Sequence, residues 1–152
     1  MTKITRKQID DDLYLLLRTI YHYEKLLENK TGLDFKKMYL LLHLYQKPPL
    51  RLTDIAHELN IPMFSASRLV DSLVEKKLIK KVQEIADRRS IAISIEPAGV
   101  EMINDLEEKS YKKVLSNFSE FNEADFEIVI HLVEKLHQIL EVTDQVNKKP
   151  QS

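Results

Sequence analysis

The sequence predicts a mainly α fold with one small β-hairpin, on three observations. Apolar residues recur at helical spacing along most of the chain, and glycine is limited to 2 of 152 residues, too few for a fold built on tight turns. Residues rich in β-branched side chains gather in two short runs between 78 and 95. The length fits one domain of about 100–200 residues with a core of its own, so residues 1–152 are expected to form a single unit.

The first helix is predicted from about Thr5 to Asn29. After Ile9 its apolar positions are Leu13, Leu16, Leu17, Ile20 and Leu27, and Thr31-Gly32 supplies a stop. Asp34 is placed to cap a second helix, with Met38, Leu41, Leu42 and Tyr45 on one side, which Pro48-Pro49 then ends. A short third helix follows with Thr53 as its expected N-cap and Ile55, Ala56 and Leu59 as a narrow apolar stripe, broken by Asn60-Ile61-Pro62. From Met63 to Lys76 a fourth helix turns Ala66, Leu69, Val70 and Leu73 to one face. Phe64, Ser65, Ser67, Arg68 and Ser72 fall on the other face or its borders. Two short helices joined by a tight turn, the second presenting small polar groups and an arginine, have the helix-turn-helix layout.

The period then changes. Leu78 to Val82 and Ile91 to Ile95 read as two strands around the charged loop Gln83 to Ser90, which makes this the winged form of the motif. Pro97, at a favoured first-turn position, opens a fifth helix to about Asn117. A sixth starts near Asn122 or Glu123 and aligns Phe126, Val129, Ile130, Val133, Leu136 and Leu140. The first helix, about 37 Å long, outruns a small winged core, and the stripe of the last would stay open in a monomer. A two-fold homodimer that buries both is therefore expected.

Composition narrows the function. Lys and Arg number 23 against 24 Asp and Glu, a formal net charge of -1, so any surface for nucleic acid must be local. Such an asymmetry exists. Residues 47–93 hold 9 Lys and Arg against 6 acids, while the remainder is acidic on balance. Cysteine is absent, which excludes disulfides, thiolate metal sites and thiol chemistry. No run of ~18 apolar residues and no apolar leader occurs, so neither a membrane span nor a signal peptide is expected, and the default location is cytoplasmic.

Three stretches carry a family resemblance: Leu52-Thr53-Asp54-Ile55-Ala56, then Ser65-Ala66-Ser67-Arg68-Leu69-Val70-Asp71-Ser72-Leu73-Val74-Glu75-Lys76-Lys77-Leu78-Ile79, then Asp87-Arg88-Arg89-Ser90. On these, and over essentially its whole length, the chain resembles the MarR family of winged-helix transcriptional regulators. The resemblance implies an obligate homodimer whose helical ends, here 5–30 and 97–146, interlock, with a winged helix-turn-helix at 47–96 reading a palindromic operator in double-stranded DNA. It also implies a regulator, more often a repressor, whose DNA affinity responds to a ligand or chemical signal. Arg89 resembles the family arginine that pairs with an acid of the recognition helix, here Asp71, and with Asp87 it would orient the wing. Three positions depart from the family pattern: Pro62 stands where a small capping residue is usual, Lys77 where glycine is usual, and Glu96-Pro97 where threonine is usual. Lys77 would cost ~1 kcal/mol if it must adopt the left-handed conformation.

Chemistry supports the same surface. Arg68 can donate a bidentate pair to guanine, Phe64 can meet a thymine methyl, and Arg88 suits a narrow minor groove. Ser65 and Ser67 either approach base edges and phosphates or satisfy backbone groups at the helix start. Lys76, Lys77, Lys80 and Lys81 are either phosphate contacts or a solvated edge.

For an effector, Tyr14, Tyr21, His22, Tyr39 and His43 are candidates to line a pocket for a small aromatic molecule, the alternative being core or dimer seam. The histidines lack chelating spacing: His131 and His137 lie six apart, so no metal and no cofactor is expected. A protein-interaction module on the same fold, or a constitutive regulator without ligand, are the competing readings. An enzyme is not expected, because no nucleophile cluster or Gly-rich phosphate loop appears.

Overall fold

The computed structural model describes residues 4–47, 49–83, 91–117 and 122–139. Its elements are α1 (Arg6–Thr31), α2 (Phe35–Gln46), β1 (Leu50–Arg51), α3 (Leu52–Glu58), α4 (Met63–Glu75), β2 (Ile79–Gln83), β3 (Ile91–Ile95), α5 (Pro97–Asn117) and α6 (Glu123–Ile139). Six helices and the hairpin match the sequence reading.

Local chemistry fixes most of the boundaries. Thr5 caps α1: its hydroxyl accepts from Gln8 N at 3.3 Å, while the Gln8 side chain accepts from Thr5 N at 3.1 Å. Gly32 ends α1 in the left-handed conformation at φ 68°, its N–H donating to Glu28 O. Asp34 caps α2 by accepting from Lys37 N at 3.0 Å and from Lys37 Nζ at 2.7 Å. Partial burial works to raise the Asp34 carboxyl, but these Lys37 bonds outweigh it and hold the pKa below the ordinary carboxylate value.

Two expectations need correction. The N-cap of α3 is Arg51 and not Thr53, which lies inside the helix; Arg51 N–H donates to Asp54 Oδ2 at 2.9 Å, so the acid of the first turn closes the helix start. The sheet also has a third strand. β1 pairs antiparallel with β3 through Leu50 opposite Ile93 and Arg51 opposite Ala92, giving the order β1-β3-β2. β2 pairs with the other edge of β3, from Ile79 opposite Ile95 to Gln83 opposite Ile91.

The core lies where α2, α3, α4, α5 and the sheet converge. Met38, Leu41 and Leu44 of α2 meet Ile55 of α3, Val70 and Leu73 of α4, Ile79 and Ile93 of the sheet, and Ile103 of α5. Gly99 lets α5 start against this sheet: a Cβ there would come 2.8 Å from Ile95 Cγ1 and closer still to the Leu78 carbonyl oxygen. The outer helices differ. On α1 only Leu27 is buried, while Ile9, Leu13, Leu17 and Ile20 face outward, as do Ile128, Val129, Ile130, Leu132 and Val133 of α6.

Candidate nucleic-acid interface

The helix-turn-helix is held by its turn. Asn60 adopts φ 48°, and Asn60 N donates to His57 O at 3.1 Å while Ile61 N donates to Ala56 O at 3.0 Å. This is a Schellman closure, in which a residue past the helix end satisfies carbonyls of the last turn, and asparagine tolerates the left-handed position better than most. Pro62 then precedes α4 in extended conformation and offers no side-chain cap. At the far end Lys77 takes φ 57°, with Lys77 N on Val74 O at 2.8 Å and Leu78 N on Leu73 O at 3.1 Å, the same closure. The left-handed position anticipated for Lys77 is thus occupied.

Between these two closures α4 is clamped by Ala66, Val70 and Leu73, all buried. Its outer face carries the groups expected to meet DNA. Phe64 is 64% exposed, and the Arg68 guanidinium carbon lies 4.3 Å from the centre of its ring. Ser65, Ser67 and Ser72 are half-buried at the borders of that face. Among the described residues none of the three hydroxyls makes a hydrogen bond, so the use of Ser65 and Ser67 as backbone partners at the helix start is not seen.

Asp71 has a partner that sequence reasoning did not assign: Lys81 Nζ of β2 donates to Asp71 Oδ1 at 2.6 Å. The recognition helix is thereby tied to the strand that leads into the wing. Arg88, Arg89 and Asp87 lie outside the described residues. Lys80, on the opposite strand face, reaches Glu96 at 3.4 Å. Lys76 and Lys77 are exposed beside the C-terminus of α4. Alternation along a strand signals that Lys80 and Lys81 part company, but the identity of their partners needs the packing of β2 on α4.

Comparison with known proteins agrees with this geometry. A family model described as MarR family matches residues 31–90, from the end of α1 to the wing loop. The chain is 27% identical over 137 residues to YpoP of Bacillus subtilis (strain 168), an uncharacterized HTH-type transcriptional regulator, covering 86% of this chain and 95% of that protein. In structure it is similar to a MarR family protein from Bacillus stearothermophilus, with a TM-score of 0.72, 17% identity, and 91% and 99% of the two chains covered.

Over residues 31–90 the chain is similar to the MarR family. Streptococcus pneumoniae FabT, solved in complex with DNA, is a further structural match, at a TM-score of 0.71 and 18% identity over 90% of this chain and 98% of the other.

The five effector candidates divide into two groups. Tyr14, Tyr21 and His22 are exposed along α1, with the Tyr21 and His22 rings edge to face at 5.6 Å. Tyr39 and His43 sit together on α2 around Glu58, the last residue of α3. Tyr39 Oη donates to Glu58 Oε1 at 2.7 Å, and His43 Nδ1 lies 3.7 Å from the same oxygen. The Glu58 hydrogen bond, then partial burial, raises the Tyr39 phenol above its ordinary pKa. A cavity of about 570 Å³ lies elsewhere, between the end of α1 and α5, lined by Lys30, Thr31, Glu101, Met102 and Asp105 among others. Among the described residues, no group of three His, Asp or Glu could hold a metal ion.

Proposed function

We propose that this chain is a MarR-family regulator, homodimeric and sequence-specific in its DNA binding, that represses a palindromic operator. The observation that carries the reading is the outer face of α4. Its buried side is wholly apolar, whereas its outer side offers exposed Arg68 and Phe64 with three half-buried serines at its borders, a set suited to base edges. FabT was solved on DNA, which supports the use of this fold for that purpose.

In this reading residues 47–96 are the DNA-binding part, and 5–30 with 97–146 the dimerisation helices. α4 lies in the major groove, Arg68 reads a guanine, and Ser65, Ser67 and Ser72 meet bases or phosphates. Arg88 and Arg89 of the wing meet the adjacent minor groove and backbone. The exposed apolar rows of α1 and α6, with Leu17 at 66% and Val133 at 63% exposure, become the seam between two copies. A small aromatic effector would act through Tyr39 and His43, because these residues join α2 to the helix-turn-helix by way of Glu58. The role is regulatory and not catalytic. No helix among the described residues is long and apolar enough to cross a membrane, and operation on DNA places the protein in the cytoplasm.

The test is binding of the full chain to duplex DNA by fluorescence anisotropy across a salt series, with mass from light scattering. A two-chain mass and an affinity that falls steeply with salt are expected. A stable folded monomer, or no binding at low salt, would overturn the reading.

A further inference from the structure

We infer that Phe64 and Lys81 are positioning residues for Arg68: together they hold its guanidinium stacked and leave its hydrogen-bonding edge uncommitted. This rests on the proposed reading of α4 as the DNA-recognition helix. The reasoning starts from what an exposed arginine on a helix normally does. A carboxylate three or four residues away captures it, and Asp71 is three residues from Arg68. Such a pair would consume the in-plane N–H groups that a guanine needs.

The structure shows another arrangement. Asp71 is occupied by Lys81 Nζ at 2.6 Å, and no described carboxylate pairs with Arg68. The guanidinium instead lies over the Phe64 ring, one turn earlier on the helix, with its carbon 4.3 Å from the ring centre. Stacking uses the face of the guanidinium and leaves its edge free. Phe64 therefore acts on sequence recognition through Arg68, beyond any contact of its own, and Lys81 does so by removing the competing acid.

The test uses an operator selected by the wild-type full chain from random duplex DNA, then remade with each base pair substituted singly. Arg68→Ala marks the base pair that Arg68 reads, as the position where discrimination disappears. At that base pair Phe64→Leu is expected to lower discrimination by about two- to fivefold, with Phe64→Tyr close to wild type. Lys81→Met is expected to cause a similar loss, restored by adding Asp71→Asn. In the free protein, the Arg68 side-chain protons should show an upfield ring-current displacement in wild type and Phe64→Tyr and lose it in Phe64→Leu.

Unchanged discrimination in Phe64→Leu while Arg68→Ala abolishes it would overturn the role of Phe64 and leave DNA reading intact. A loss confined to a neighbouring base pair would do the same, by assigning Phe64 a direct contact. Failure of Asp71→Asn to restore Lys81→Met would overturn the role of Lys81. Absence of any selected operator would overturn the DNA reading itself, and this proposal with it.

Discussion

Lys77 holds a backbone position that costs an L side chain about 1 kcal/mol or more, at φ 57°. The Schellman closure that it forms carries the chain from α4 into β2, with Leu73 and Leu78 buried on either side of it. Lys77→Gly is expected to raise stability by roughly 0.5–1 kcal/mol, since glycine relieves the left-handed strain but orders a freer chain. Thermal unfolding should show a melting temperature about 1–4 °C higher; a lower one would mean that the lysine side chain stabilises the turn. Gly99 presents the opposite case. A methyl group there meets the Leu78 backbone, which already accepts from Glu96 N at 2.9 Å, so the neighbour cannot simply rotate away. Gly99→Ala should destabilise by about 1–3 kcal/mol in the same assay.

Lys77 was legible in the sequence, because a position that usually carries glycine carried a lysine. The stack of Phe64 and Arg68 was less so: their spacing of four permits contact, but nothing in it chooses between the ring, Asp71 and solvent. That choice depends on Lys81, thirteen residues further on and brought back by the packing of β2 against α4.

At the scale of elements, residues that act within one turn announced themselves and residues that act across the fold did not. Thr5, Thr31-Gly32, Asp34 and Pro97 marked helix ends correctly because capping and φ restriction are local effects. β1 escaped notice. Two residues cannot show a period, and Leu50-Arg51 becomes a strand only because β3, some forty residues later, supplies its partner. The α3 cap was misread for a related reason: Thr53 is a good capping residue, yet Asp54 reaches back to Arg51 N–H, so that Arg51 is the N-cap and the helix starts at Leu52. The bond from Tyr39 to Glu58 also joins separate elements and left no sequence signal.

Asp34 yields a prediction at this scale. Its carboxyl has a folded pKa below the unfolded value, so its charged form stabilises α2 above about pH 4, the ordinary carboxylate value, and that contribution is lost as pH falls through the folded pKa. Asp34→Ala should cost about 1 kcal/mol at neutral pH. Asp34→Asn should cost less, because it keeps the cap and loses only the charge. The gap between wild type and Asp34→Asn should narrow on acidification, as followed by denaturant unfolding at pH 7 and pH 3; a gap undiminished at pH 3 would contradict the electrostatic cause.

On the scale of the whole molecule, the acidic balance of the chain and the basic excess of residues 47–93 are two sides of one arrangement. Charge is spent where α4, β2 and the wing lie, and the long outer helices carry apolar rows that a single copy leaves open. In the proposed dimer folding and assembly are linked, so the melting temperature should rise with protein concentration. Leu17→Glu would place a carboxylate in the expected seam, and it should lower the melting temperature and weaken the dimer at least about tenfold in analytical ultracentrifugation. A concentration-independent melt with an unchanged mass would contradict the dimer.

The most direct test of the central claim is selection of bound sequences from a random duplex pool, with wild type and Arg68→Ala in parallel. The account predicts a palindrome with half-sites about 10 bp apart, one of whose positions in each half loses its preference in Arg68→Ala. A folded dimer that enriches no sequence at low salt, or an enriched motif that Arg68→Ala leaves untouched, would contradict it.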